Sequence, residues 1–428
     1  MGIHKDTTVI TGALIWPGSG PDAKVGDVAV AGNRIVGVSD QVGSLVAGSA
    51  RVIDGRGQTL MPGLVEGHAH IAMYKLADYK QFVEVKPEEH ILNSLENARL
   101  LLDHGFTSAY SAGSANLRQD VVIRNAVNEG RWPGPRLRAC SPTLTTTGGL
   151  GDERVLHEDR AITGLVADGP DEMRRAVRLA AREDADNIKI NMTGEIGGIP
   201  TNIPPGRTTI LEIEVAAAME AAKVLERSIC VHARNIETVM MALKYGADVI
   251  YHADLIDEAT MDAMGEARDR VMMGPALAVF HEFASLGPAM PMYDFFASGL
   301  ERLAGVTRQL HDRGVDLVIG GDYGGTDFAH GTNARDISHM VTDVGLAPYQ
   351  ALECATRNGG RIMRLPNELG QVKEGYLADL LLVKGLPLED VTVLQDKDNL
   401  SMIMKDGEMH KAPTASTASV MQPELVNT

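Results

Sequence analysis

Five stretches carry side chains whose types and spacing suit metal binding and proton transfer. Gly67-His68-Ala69-His70 ends an apolar run. In a strand, residues i and i+2 project to the same side, so both imidazoles can reach one metal ion. His232 in Cys230-Val231-His232-Ala233-Arg234, His252 in Ile250-Tyr251-His252-Ala253-Asp254, and Asp322 in Gly320-Gly321-Asp322-Tyr323-Gly324 each end a similar run. Any one of them alone could be a buried hydrogen-bonding residue. Their joint recurrence at strand ends points to one shared site. In Asn187-Ile188-Lys189-Ile190-Asn191 the two isoleucines share one face, which turns Lys189 to the other. A buried ammonium is costly without a partner. Two readings stay open for it: an ion pair with a carboxylate, or a deprotonated amine that has taken up carbon dioxide. The resulting carbamate is an anion able to bridge two cations.

These residues need a scaffold that brings distant strand ends together. Residues 87–105 begin with Pro87 and two acids, continue with Ile91, Leu95, Ala98 and Leu102 at helical spacing, and stop at Gly105. FTSAYSAG follows as a strand. Further helices are predicted over about 171–185, 209–227 and 237–245, with one ending near Gly314. Between them lie the strands GLVEGHAH, RLRACSPTL, NIKINMTG, SICVHARN, DVIYHAD, VMMGPALAV and DLVIGGDYG. With FTSAYSAG these make eight, the number a (β/α)8 TIM-type barrel requires, and such barrels place functional groups at the C-terminal ends of their strands. The expected fold is α/β: a barrel over 59–365 and a small β-sandwich built from residues 1–58 and 366–411. Residues 412–428 are expected to be a flexible tail or an arm that orders on a neighbouring subunit.

The net charge is −17 over 428 residues. Such a surface disfavours nucleic acid, and its simplest role is solubility. No apolar stretch reaches the ~18 residues of a membrane span. Cys140, Cys230 and Cys354 lie far apart without a CxxC pair, so neither a disulfide framework nor a cysteine zinc site is expected. The first residues lack a basic and then apolar leader pattern, and a cytoplasmic protein is expected.

The set of HxH on strand one, Lys on four, His on five, His on six and Asp on eight resembles the amidohydrolase superfamily. Met61-Pro62-Gly63-Leu64-Val65-Glu66-Gly67-His68 is similar to the superfamily's lead-in to its first strand. The cues Thr145-Thr146-Thr147-Gly148-Gly149, Asn187-Ile188-Lys189, Gly197-Gly198-Ile199-Pro200 and Val231-His232-Ala233 narrow the likeness to the Xaa-Pro dipeptidase and imidazolonepropionase-like branch. That branch includes carboxypeptidases of N-acyl amino acids and the amidase of ochratoxin A. The resemblance implies two divalent ions, with zinc the first expectation. His68, His70 and Asp322 hold one, His232 and His252 the other, and N6-carboxylated Lys189 with a hydroxide bridges them. It implies hydrolysis of an amide or peptide bond to a C-terminal amino acid, in a dipeptide, an N-acyl amino acid or ochratoxin A. A metal lowers the pKa of its water to roughly 7, and Asp322 relays the proton to the leaving amine. A homo-oligomer, such as an octamer, is implied likewise.

The branch usually continues Thr-Gly-Gly-His-Gly, whereas Gly149 is followed here by Leu150 and Gly151. The substrate contact that the missing histidine makes is therefore open. Arg234 shares the inward face with His232, so it could grip a substrate carboxylate or form a loop-ordering ion pair. Tyr251, Leu150, His281 and His330 are further candidates for substrate contact, with surface histidine the plainer reading of the last two. Two other functions compete. Cyclic-amide hydrolysis or deamination of a heterocycle is one, although such relatives often use one metal and lack the strand-four Lys. A non-catalytic scaffold is the other, although such proteins usually lose ligands.

Overall fold

A computed structural model describes residues 7–74, 84–152, 154, 164–194, 203–288, 293–325 and 328–413. The Gly197–Pro200 motif and residues 414–428 of the tail lie outside these. The chain divides into two compact units.

The first unit comprises Met1–Leu64, Leu102–Thr107 and Ala347–Thr428. It holds an eight-stranded sheet to which both ends of the chain contribute. In spatial order the strands are Glu408–Lys411, Leu400–Lys405, Leu380–Lys384, Gln58–Pro62, Thr7–Ile15, Lys24–Ala31 and Arg34–Ser39, with Arg51–Asp54 on the side of Thr7–Ile15. The seam between the ends is the antiparallel pairing of Leu380–Lys384 with Gln58–Pro62, where Leu382 faces Leu60. Alternate residues meet in one apolar cluster that includes Ile10, Val28, Val30, Leu60, Leu380, Leu382, Met402 and Met404.

The second unit comprises Val65–Leu101 and Ser108–Leu346. Its strands are parallel and alternate with helices. A seven-stranded sheet runs Gly164–Val166, Thr143–Thr145, Asn187–Asn191, Ser228–Asn235, Val249–Leu255, Met272–Gly274 and Asp316–Leu317. A three-stranded sheet runs Leu64–Ala69, Phe106–Ser111 and Arg136–Arg138. Backbone contacts link the sheets on both sides. The Gly67 N–H donates to the Ile319 carbonyl at 3.0 Å, and Cys140 bridges to Asn187. Gly67 has to be glycine there, because a Cβ would stand 2.6 Å from that carbonyl oxygen.

The helices follow from simple patterning. Gly169–Arg182 buries Met173, Ala176, Val177 and Ala180, spaced i, i+3, i+4 and i+7, and places Asp171 and Glu172 in its first turn and Arg182 in its last. Ile236–Tyr245 is capped by Asn235, whose side chain accepts from the Thr238 N–H, and stops at Gly246 in the left-handed region.

Several expected strands are shorter than their apolar runs. VMMGPALAV is a strand only over Met272–Gly274, because Pro275 has no N–H for the ladder; the helix Leu277–Ser285 takes the rest. RLRACSPTL splits into Arg136–Arg138 and Thr143–Thr145, with Pro142 in the gap. The eighth run is ladder-paired only over Asp316–Leu317 before Gly320 and Asp322 turn to positive φ. The strand Gly164–Val166 and the helices Arg335–Thr342, Pro348–Cys354 and Arg357–Ile362 were not expected. Among the described residues, no helix is long and apolar enough to cross a membrane.

Candidate metal centre

His68 and His70 lie at and just beyond the end of the strand Leu64–Ala69, and both are buried. The His70 Nε2 stands 3.0 Å from Asp322 Oδ1, and the His68 Nε2 stands 3.7 Å from the same oxygen. His252 completes the group: one ligand atom each from His68, His252 and Asp322 lie within 4.8 Å of one another. The His232 ring meets the His252 ring edge-on with centroids 4.4 Å apart, so the fifth strand's histidine adjoins the same cluster.

Backbone geometry explains how two consecutive residues reach this point. The Tyr251 ring stacks on His68 at 3.8 Å, and the His252 ring lies 5.6 Å from His68. In regular strand, neighbours 251 and 252 would face opposite ways. His252 has φ 75° and Ala253 φ 49°, which swings His252 to the same side as Tyr251. Asp322 is likewise left-handed, at φ 64°. Non-glycine residues held there cost of order 1–3 kcal/mol each, a strain that clusters at functional sites.

Hydrogen bonds to backbone carbonyls orient two of the rings. The His70 Nδ1 lies 3.2 Å from the Gly113 carbonyl, which can only accept, so Nδ1 carries a proton and Nε2 is the atom that faces Asp322. The His232 Nε2 lies 3.3 Å from the Gly194 carbonyl and donates to it. Among the described residues, neither ring nitrogen of buried His68 finds a hydrogen-bond partner, nor does the His252 Nδ1. Buried polar atoms are almost always satisfied, so these orphans are what a site for a cation requires. Electrostatics agree. Burial drives His68, His232 and His252 well below the usual imidazole range, so all three are neutral donors. Burial pushes the Asp322 carboxyl up, but His68, His70 and Lys189 together more than reverse this and hold it ionised.

Lys189 is buried, with its Nζ 4.6 Å from the centre of the Tyr251 ring. Among the described residues, no carboxylate stands within ion-pair distance of it. The ion-pair reading of Lys189 thus finds no partner there.

The other sequence candidates fall elsewhere. Arg234 is wholly buried and donates to Asp254 Oδ1 at 2.7 Å; Asp254, also wholly buried, accepts a second bond from Arg302. The geometry is that of the ion pair, not of a guanidinium open to substrate. Tyr251 is equally buried, and its hydroxyl donates to the Gly67 carbonyl at 2.6 Å. It acts as a platform under His68 and Lys189. At Leu150 it is the backbone carbonyl that makes the contact, accepting from Asn191 Nδ2 at 2.9 Å. His330 is buried, and its Nε2 donates to the His70 carbonyl at 3.0 Å. His281 pairs with Asp343 at 2.7 Å.

Two supporting carboxylates were missed. Glu66 Oε1 accepts from the His68 N–H and Oε2 from Asn333 Nδ2, and burial raises its pKa to about 7. Asp336 accepts the Gly320 N–H at 2.9 Å and so holds the turn that carries Asp322; burial raises it too. Glu66 lies two residues before His68, which was the available signal. Nothing in the spacing of Asp336 reveals its role.

The amidohydrolase family model matches residues 59–409. The chain is 25% identical to the ochratoxinase of Aspergillus niger over 95% of its own length and 87% of that protein's. It is 24% identical to the imidazolonepropionase of Rubrobacter xylanophilus over 89% of each. A crystal structure of a Xaa-Pro dipeptidase with methionine bound in its active site superposes with a TM-score of 0.84 at 28% identity, covering 95% of this chain and all of that one.

Proposed function

The chain belongs to the amidohydrolase family, whose fold is of the TIM-barrel type, and is a hydrolase acting on C–N bonds; we propose that it cleaves an amide or peptide bond to release a C-terminal amino acid. The observation that carries this reading is the convergence of His68, His252 and Asp322, with His70 and His232 beside them. In this reading the eight sequence-expected strands close one barrel over 59–365, and the two chain ends form a β-sandwich.

The donor set is imidazole and carboxylate, which suits zinc, manganese or cobalt; zinc is the first choice. His68, His70 and Asp322 would hold one ion, and His232 and His252 the second. Divalent ions acidify water and polarise a carbonyl. Lys189, carboxylated on Nζ by carbon dioxide with loss of a proton, would supply the bridging anion. Asp322, ionised and within hydrogen-bond reach of His70, is placed to accept a proton and return it to the leaving amine. Glu66 and Asp336 orient the His68 and Gly320 backbones. The substrate class follows the relatives: a Xaa-Pro or other dipeptide, an N-acyl amino acid, or ochratoxin A. Assembly into a homo-oligomer such as an octamer, and a cytoplasmic setting, belong to the same reading.

The test is a hydrolysis screen of those three substrate groups, following amino-acid release, with metal content measured on the same preparation. Two metals per chain that are lost in a His68→Ala/His252→Ala variant, and release of a C-terminal amino acid, are expected. Ring opening of a cyclic amide, or release of ammonia from a heterocycle, with no cleavage of any acyl amino acid would replace this reading with the imidazolonepropionase-like or deaminase alternative.

A further inference from the structure

A second group of ligand-type side chains lies in the same unit but shares no residue with the centre above. His281 is on the helix Leu277–Ser285, His339 is on the helix Arg335–Thr342, and Asp343 caps the latter. The two imidazoles stack, with centroids 4.0 Å apart and planes 20° from parallel. Each turns a ring nitrogen to the same carboxylate oxygen. The His281 Nε2 stands 2.7 Å and the His339 Nδ1 3.4 Å from Asp343 Oδ2. The side chains are 35%, 18% and 19% exposed for His281, His339 and Asp343, so the cluster is sheltered yet reachable from water.

We propose that His281, His339 and Asp343 form a separate site for a divalent transition metal, of the zinc, cobalt, nickel or copper kind. The three ligand atoms lie within 4.8 Å of one another, a spread that bonds of roughly 2.0–2.2 Å to a central ion can gather. His339 and Asp343 are four residues apart, hence on one face, and the crossing helix supplies the third ligand without a loop having to order. Two imidazolium rings stacked this closely would repel, so a proton can serve only one of the two nitrogens aimed at Asp343. A divalent ion serves both and the carboxylate together. Two nitrogens and one oxygen select the borderline transition metals over magnesium or calcium. Asp343 also lines a groove of about 540 Å³ that includes Glu301 and Arg308. A bound ion ties the helix Leu277–Ser285 to the helix that carries Asp336.

The competing description is a metal-free ion pair between His281 and Asp343. The test begins with protein stripped by a chelator and refilled with Zn²⁺ or Co²⁺ by equilibrium dialysis. Metal per chain is then measured for the wild type, His281→Ala/His339→Ala and Asp343→Asn, with folding checked by far-ultraviolet circular dichroism. Both variants should bind one equivalent less than the wild type and lose the corresponding part of the Co²⁺ visible spectrum. A His68→Ala/His252→Ala protein should keep that equivalent, whatever becomes of the other centre. Equal stoichiometry in the wild type and folded Asp343→Asn overturns the proposal. Should the double histidine variant not fold, His281→Gln provides the same comparison.

Discussion

Replacing Arg234 with Met separates two roles that the sequence leaves equally open. The guanidinium and its partner Asp254 are both wholly buried, with 2.7 Å between Nη1 and Oδ1. Removing one member of a buried pair strands the other charge and typically costs 3–5 kcal/mol. Here Arg302 keeps its contact with Asp254 Oδ2 at 3.2 Å, so the loss should fall at the lower end, about 3 kcal/mol. The assay is denaturant unfolding of Arg234→Met, Asp254→Asn and the double variant. Partners in contact couple by 0.5–3 kcal/mol, and a coupling of about 2 kcal/mol is expected for this pair. The KM for carboxylate substrates should change no more than that for their amides. An Arg234→Met protein with wild-type stability and a KM raised only for substrates bearing a free carboxylate would refute the buried-pair account and restore Arg234 to the substrate.

Asp322→Asn should retain the fold and lose turnover by a factor of ~10²–10⁴, the usual worth of a positioned acid–base group; steady-state kinetics at saturating metal measure it. Gly320→Ala should lower metal occupancy and stability together, because its φ is +148° and a Cβ would overlap the His68 Cβ and backbone N and stand 2.7 Å from Glu66 Oε1; metal analysis and thermal unfolding test this. Asp120 is buried, accepts the Cys140 N–H, and has its pKa raised to about 6 by burial. Between about pH 3.8 and 6 its carboxyl is protonated in the fold but ionised in the unfolded chain, so the stability it lends is lost as pH rises through that window. The Asp120→Asn change in unfolding free energy should therefore move about 2 kcal/mol in favour of Asn between about pH 4.5 and 7.5; a pH-independent difference would show that the carboxyl is ionised in the fold.

The ligand candidates were legible because period-two spacing and apolar run-ups carry their own physics. His68 and His70 share a side for that reason, and Lys189 is set opposite two isoleucines. The positioning devices were not legible, because they depend on contacts between residues remote in sequence. Asp254 becomes the partner of Arg234 only once neighbouring strands are in register, and Asp336 reaches Gly320 only through the fold of the loop between them. The left-handed turn at His252 and Ala253 has no clear local signal, since no glycine or asparagine marks it. Strand lengths were overread where proline interrupts an apolar run, as at Pro142 and Pro275, although their missing N–H groups were visible in the sequence.

The seam between Gln58–Pro62 and Leu380–Lys384 sets an order of events during synthesis. Leu60 emerges from the ribosome long before Leu382, so one edge of the early β-strands stays open until almost the whole chain has been made. Open edges of apolar strands invite pairing with other chains, and contacts between residues so far apart are slow to close. A nascent chain stalled before residue 380 should therefore be the species that chaperones hold most firmly and that aggregates first when they are scarce.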